Sequence, residues 1–141
     1  MAFDVIIGRP LTEVAATLFY LAKRYPEAGL LPPDDDIEGQ AQVISWMSYV
    51  ASGLHPVWRQ GLDIAIPAFD VADQRLGNNE WAVGGTYSIA DIHLFRLYWR
   101  LAGVHDLPAG TLPNPKRHHD QMMQRPAVIH TLEIETGTIS T

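Results

Sequence analysis

Ser88-Ile89-Ala90-Asp91-Ile92-His93-Leu94-Phe95-Arg96-Leu97-Tyr98-Trp99-Arg100-Leu101-Ala102-Gly103 reads as one helix that is apolar almost all the way round. Ser88 and Asp91 form a capping-box pattern with Asp in place of the usual Glu. The serine hydroxyl can accept from the Asp91 amide while the carboxylate reaches back to the Ser88 amide. Tyr87 and Ile92 flank the box as a hydrophobic staple, and Gly103 is expected to close the helix as its C′ residue. At 100° per residue, His93, Arg96 and Arg100 fall within about 60° of one another, and Asp91 lies on the opposite side. A helix this apolar belongs at the centre of a core, where Asp91 is tolerable because the box satisfies it.

Other amphipathic segments surround this rod. Val14, Leu18, Leu21 and Tyr25 recur at helical spacing until Pro26 stops the run, and Gly29-Leu30-Leu31-Pro32-Pro33 reads as a linker. Asp34, Asp35 and Asp36, with Glu38 behind them, suit a helix N-cap. A single local acidic run without distant ligands or an EF-hand glycine pattern does not make a metal site. A long helix is expected from Ile37 to at least His55, with Pro56 bending or ending it. Another is expected from near Pro67, with Phe69, Ala72 and Leu76 on one face and Gly77 as its stop. Trp81 to Tyr87 reads as extended. A short helix through Met122 and Met123 and a last one opened by Arg125-Pro126 complete the chain, with a loose tail from Gly137. Phe3 to Ile7 is β-prone and turns at Gly8-Arg9-Pro10, too little for a sheet. The expected class is all-α.

Composition narrows the chemistry. The 141 residues suit one domain, and 47% hydrophobic against 18% charged residues excludes a disordered chain. A formal charge of -6 argues against a nucleic-acid partner. The absence of cysteine excludes disulfides, thiolate zinc sites and a thiol nucleophile from this chain. No stretch of about 18 apolar residues and no basic n-region is present, so a cytoplasmic protein with no membrane partner is expected. His118, His119 and Asp120 do not read as metal ligands, because adjacent histidines on a helix diverge by about 100°. Met122 and Met123 read as core filler. Arg96 and Arg100 read as partners of nearby carboxylates, with an anionic ligand as the alternative.

Four segments, in order, resemble bacterial cytosolic glutathione transferases of the beta-like kind. Leu11-Thr12-Glu13 leading into Phe19 to Pro32 is similar to the helix that ends their thioredoxin-like half, with its linker. Trp46-Met47-Ser48-Tyr49 through Leu54-His55 resembles the first long helix of their all-helical half. Gly84 to Asp91 resembles their N-capping box, and Met123-Gln124-Arg125-Pro126-Ala127-Val128 their penultimate turn. The resemblance implies residues 1–31 as a remnant strand, helix and linker of the thioredoxin-like domain, and residues 32–141 as the helical bundle of the C-terminal domain. The family's thiol-activating Tyr, Ser or Cys lies in the part of that unit this chain lacks. No catalytic residue can therefore be placed, and the chain is expected to be inactive alone.

By position, Glu13 matches the acidic residue that contacts the γ-glutamyl end of glutathione, and Val14 stands where a serine normally holds the carboxylate at the helix N-terminus. His55 matches a histidine facing the active-site cleft, with Pro56 where a lysine is common, and Trp99 falls where relatives place an aromatic in the electrophile pocket. Each has a plainer reading. Glu13 suits any first helical turn, His55 can cap the bend at Pro56, and Trp99 can be core. The implied partners are glutathione as co-substrate, a small hydrophobic electrophile and a second copy of the chain, with no cofactor or metal. The alternative is a non-catalytic helical interaction module of the same fold, which Val14 and Pro56 favour.

Overall fold

A computed structural model describes residues 2–4 and 9–139. These form six α-helices: α1 (Val14–Arg24), α2 (Ile37–Tyr49), α3 (Leu62–Leu76), α4 (Ile89–Val104), α5 (Pro113–Met122) and α6 (Pro126–Glu135). Two short strands, β1 (Ala2–Asp4) and β2 (Arg9–Leu11), pair antiparallel with Ala2 opposite Leu11. A single strand followed by a turn was the expectation here. Arg9-Pro10 instead carries the second strand, and residues 5–7 of the expected strand, with Gly8, lie outside the described residues.

α4 is the axis of the molecule, with α1, α2 and α5 packed around it. Leu94 and Leu101 are fully buried on it, in one core cluster with Trp46, Val50 and Leu54 from the α2 side and Phe69 and Leu76 from α3. Burying side chains of that size contributes about 1.5–3 kcal/mol each. A smaller cluster of Trp81, Phe95 and Met122 fills the side toward α5 and α6.

The start of α4 is held by more than its own cap. Ser88 Oγ accepts from the Ala90 amide at 3.2 Å, and Asp91 Oδ2 accepts from the Ser88 amide at 2.9 Å. The other carboxylate oxygen accepts from the Ala82 amide at 2.7 Å and from His118 Nε2 of α5 at 2.9 Å. All of these groups are buried, so one side chain ties together the helix, the segment before it and α5. The linker joins too, through the Ile89 amide donating to the Leu30 carbonyl at 3.0 Å.

Three helix boundaries differ from expectation. α3 begins at Leu62, with the Gly61 carbonyl accepting from Ile64 and Ala65, so Pro67 lies inside the helix. Ala65 is fully buried and extends the row of Phe69, Ala72 and Leu76 backwards by one turn, which offsets the hydrogen bond Pro67 cannot make. α4 passes through Gly103 to Val104 with His105 as its C-cap. α2 continues into a π-helical turn, Val50–Leu54, before the chain turns at His55 and Pro56. Beyond α6, the amides of Gly137 and Thr138 donate to the Ile134 and Glu133 carbonyls, so the expected loose tail starts as an ordered turn. At the start of α2, Asp36 caps by accepting from the Gly39 amide at 2.9 Å. A Cβ on Gly39 would collide with that carboxylate, so any larger residue there would have to displace the cap.

Candidate functional site

α1 opens without a side-chain cap. Its N-cap residue, Glu13, has φ 70° and ψ 126°, a backbone conformation that costs a non-glycine residue about 1–3 kcal/mol. The Glu13 carbonyl is taken by the Thr17 amide at 3.0 Å and the Thr17 hydroxyl at 3.1 Å. The first-turn amides of an eleven-residue helix are thus presented outward, an arrangement that favours an anion.

That helix end borders a cavity of about 450 Å³. Glu13, Val14 and Leu18 line it from α1, Ala51 and His55 from the π-helical turn, and His93 from α4. The structure therefore brings together Glu13, Val14 and His55, three residues more than forty positions apart at the extremes. The π-turn matters here, because the extra residue it inserts re-aims the helix end that carries Ala51 and His55. Glu13, Val14 and His55 are exposed, whereas His93 is buried. Burial, and then the neighbouring His55, push the His93 imidazole down to about 4, so the ring is neutral at neutral pH. Its Nδ1 has no hydrogen-bond partner among the described residues.

A second cavity of about 310 Å³ shares Val14, Leu18 and His93 with the first. Its other walls are mainly apolar, including Tyr87, Ile92, Phe95, Met122, Val128 and Leu132. Trp99 lines neither cavity. Lying six residues after His93, it points about 240° round α4, and it borders a separate cavity with Trp58 and Arg100. Ser88 and Asp91 hold the start of α4 and do not line the first cavity.

Sequence reasoning placed His93 on a polar side with two arginines and gave it no role. His118, set aside as a metal ligand, is fully buried against Asp91. His119 stacks on Phe95 at 5.4 Å between ring centroids, and its Nδ1 is 3.2 Å from Asp120. Among the described residues no group of three His, Asp or Glu could hold a metal ion, and no helix is long and apolar enough to cross a membrane.

An all-helical domain around a buried, carboxylate-capped central helix, with an open helix N-terminus beside an apolar cavity, is the class these features define. The model for the glutathione S-transferase C-terminal domain matches residues 66–126. Glutathione S-transferase GstA of Escherichia coli O157:H7 is 28% identical over 145 residues, covering 91% of this chain and 69% of that protein. A glutathione transferase from Methylococcus capsulatus str. Bath superposes with a TM-score of 0.77 at 26% identity, over 92% of this chain and 69% of that one. A glutathione transferase family member from Pseudomonas fluorescens Pf-5, solved with two glutathione bound, gives 0.73 at 28% identity, over 87% of this chain and 63% of that one. Residues 66–126 thus match the glutathione S-transferase C-terminal domain, and the chain as a whole is similar in sequence and fold to bacterial glutathione transferases.

Proposed function

We propose that residues 1–31 and 32–141 serve, respectively, as the last strand, helix and linker of a thioredoxin-like unit and as the helical domain of a glutathione transferase. In this reading the α1 cavity takes the γ-glutamyl end of glutathione and the adjoining apolar cavity takes a small hydrophobic electrophile. The observation that carries it is the convergence of Glu13, the open α1 amides and His55 on one cavity that shares a wall with an apolar one. Glu13 would accept from the ligand's ammonium, and the amides at Val14 and Ala15 would donate to its carboxylate. The family reaction is attack of the glutathione sulfur on an electrophilic carbon: a C–S bond forms and, in a substitution, the leaving group departs with its bonding pair.

None of the residues lining the α1 cavity is a tyrosine, serine or cysteine that could lower the pKa of a bound thiol. The chain alone is therefore expected to bind glutathione weakly, with a Kd on the order of millimolar, and to show no turnover of a chloronitrobenzene substrate. Val14→Ser supplies a hydroxyl to the ligand carboxylate and is expected to tighten binding about tenfold, while Glu13→Gln weakens it. Calorimetric titration with glutathione checks both. Absence of saturable binding in the wild type and in Val14→Ser would favour the second reading, a non-catalytic interaction module, which Val14 and Pro56 support.

Self-association is expected as well. Val14, Phe19 and Leu21 of α1 and Tyr25 at its end are each at least 40% exposed, and Ile44 of α2 is 58% exposed, apolar surface that asks for a covering partner. Sedimentation velocity should show dimers or larger species; a clean monomer at high concentration contradicts this.

A further inference from the structure

We propose that His93 is the residue that meets the glutathione sulfur, its Nε2–H donating to the thiolate at the seam between the two cavities. The proposal rests on the glutathione reading and names a catalytic group within it. The reaction joins the sulfur of one ligand to a carbon of the other, so the sulfur must lie where the α1 cavity adjoins the apolar one. Three residues line both cavities, Val14, Leu18 and His93, and of these only His93 has a polar side chain.

The ring is set up as a donor. His93 is 4% exposed, and its Nδ1 is sealed from solvent with no hydrogen-bond partner among the described residues. Nε2 has no partner among them either, but it is not sealed, and it is the ring nitrogen left accessible where His93 lines the cavities. A buried N–H without an acceptor costs more than a lone pair without a donor, so the neutral ring carries its proton on Nε2. Burial, and then His55, hold the imidazolium form down at about 4, so the ring does not take the thiol proton as a base. That proton leaves to water. The sulfur keeps the electron pair, accepts the hydrogen bond from Nε2–H, and uses the pair to form the C–S bond as the leaving group departs with its own.

The other ionisable groups around the seam have different places. Glu13 and His55 line only the first cavity, and Tyr87, Arg96 and Glu135 only the second. Arg96 pairs with Glu135 at 2.7 Å, and the Arg125 guanidinium lies 3.7 Å from the centroid of the Tyr87 ring. A single neutral donor stabilises a thiolate only moderately, which agrees with the absence of turnover expected of the chain alone.

The test is calorimetric titration of the full chain with glutathione and with its thiol-free analogue γ-glutamyl-2-aminobutyryl-glycine, at pH 6.5 and pH 8.5. It compares the wild type with His93→Leu and His93→Gln. Leucine removes the donor and leaves no buried polar atom without a partner, so that variant is expected to fold, while glutamine keeps an N–H donor. The chain has no cysteine, so no thiol of its own titrates over this range. In the wild type, the preference for glutathione over the analogue should rise about fivefold from the lower to the higher pH, the change given by a bound thiol whose ionisation midpoint falls by about one pH unit. His93→Leu should show no rise, and His93→Gln should keep part of it. If both ligands bind but the preference is flat in the wild type, or rises equally in His93→Leu, the proposal is overturned and the glutathione reading stands. If neither ligand binds the wild type, both fall together.

Discussion

Asp91→Ala is expected to cost about 3–5 kcal/mol of folding stability, the range for leaving buried polar partners stranded. The carboxylate is fully buried and receives hydrogen bonds from the Ser88 and Ala82 amides and from His118 Nε2, three donors on three different segments. Removing it strands all three at once, and His118 already has a buried Nδ1 without a partner. Ser88→Ala is the natural comparison. It deletes a single cap acceptor, the one used by the Ala90 amide, and is expected to cost about 1 kcal/mol. Urea unfolding followed by circular dichroism ranks the two. If Asp91→Ala loses no more than Ser88→Ala, the carboxylate is not the tie between α4, α5 and the 81–87 segment.

The second large effect is on pH dependence and belongs to His93. Its folded-state pKa, about 4, lies below the ordinary 6.5 because burial disfavours the charged ring and His55 sits close by. Between those two values the unfolded chain binds more protons than the folded one, so stability rises with pH through that window. The contribution is fully present above about 6.5 and is lost as pH falls toward 4, amounting to about 3 kcal/mol at most. Carboxylates elsewhere titrate in the same range, so the readout is a difference. From pH 7 to pH 4.5, wild type should lose about 2 kcal/mol more stability than His93→Gln. Parallel losses in the two proteins would mean that His93 is hydrated in the folded state.

The sequence spoke most clearly where one helix carries its own instructions. The run from Tyr87 to Leu101 states its cap, its staple and its near-complete apolar surface within fifteen positions, and α4 is the buried axis. What it could not state is that Asp91 needs more than the cap. The other oxygen is used by Ala82 and by His118, the latter 27 residues away on a helix whose own pattern says nothing about α4. Pro67 misled for a local reason. A proline is most at home in a first turn, yet here the buried row begins at Ala65, and tertiary packing outweighs one missing hydrogen bond.

The site was legible in a similarly uneven way. Glu13, Val14 and His55 were found by position within a family pattern, and they share a cavity. His93 was visible as a polar residue in an apolar helix, but whether such a residue faces a cleft or solvent depends on which helices cover it. The π-turn that carries Ala51 and His55 has no sequence signature beyond the glycine and small residues of Val50-Ala51-Ser52-Gly53-Leu54. Trp99 shows the converse: an aromatic suited to a pocket by type, placed by helical phase at a different one.

The central claim is that the open end of α1 and the π-turn form a site for the γ-glutamyl end of glutathione. Amide chemical-shift mapping by NMR during a glutathione titration tests it most directly. The account predicts shifts concentrated at residues 13–18, 51–55 and 93, growing in one saturable phase, and enlarged at equal ligand concentration in Val14→Ser. Shifts clustered elsewhere, or none in either protein, would contradict it.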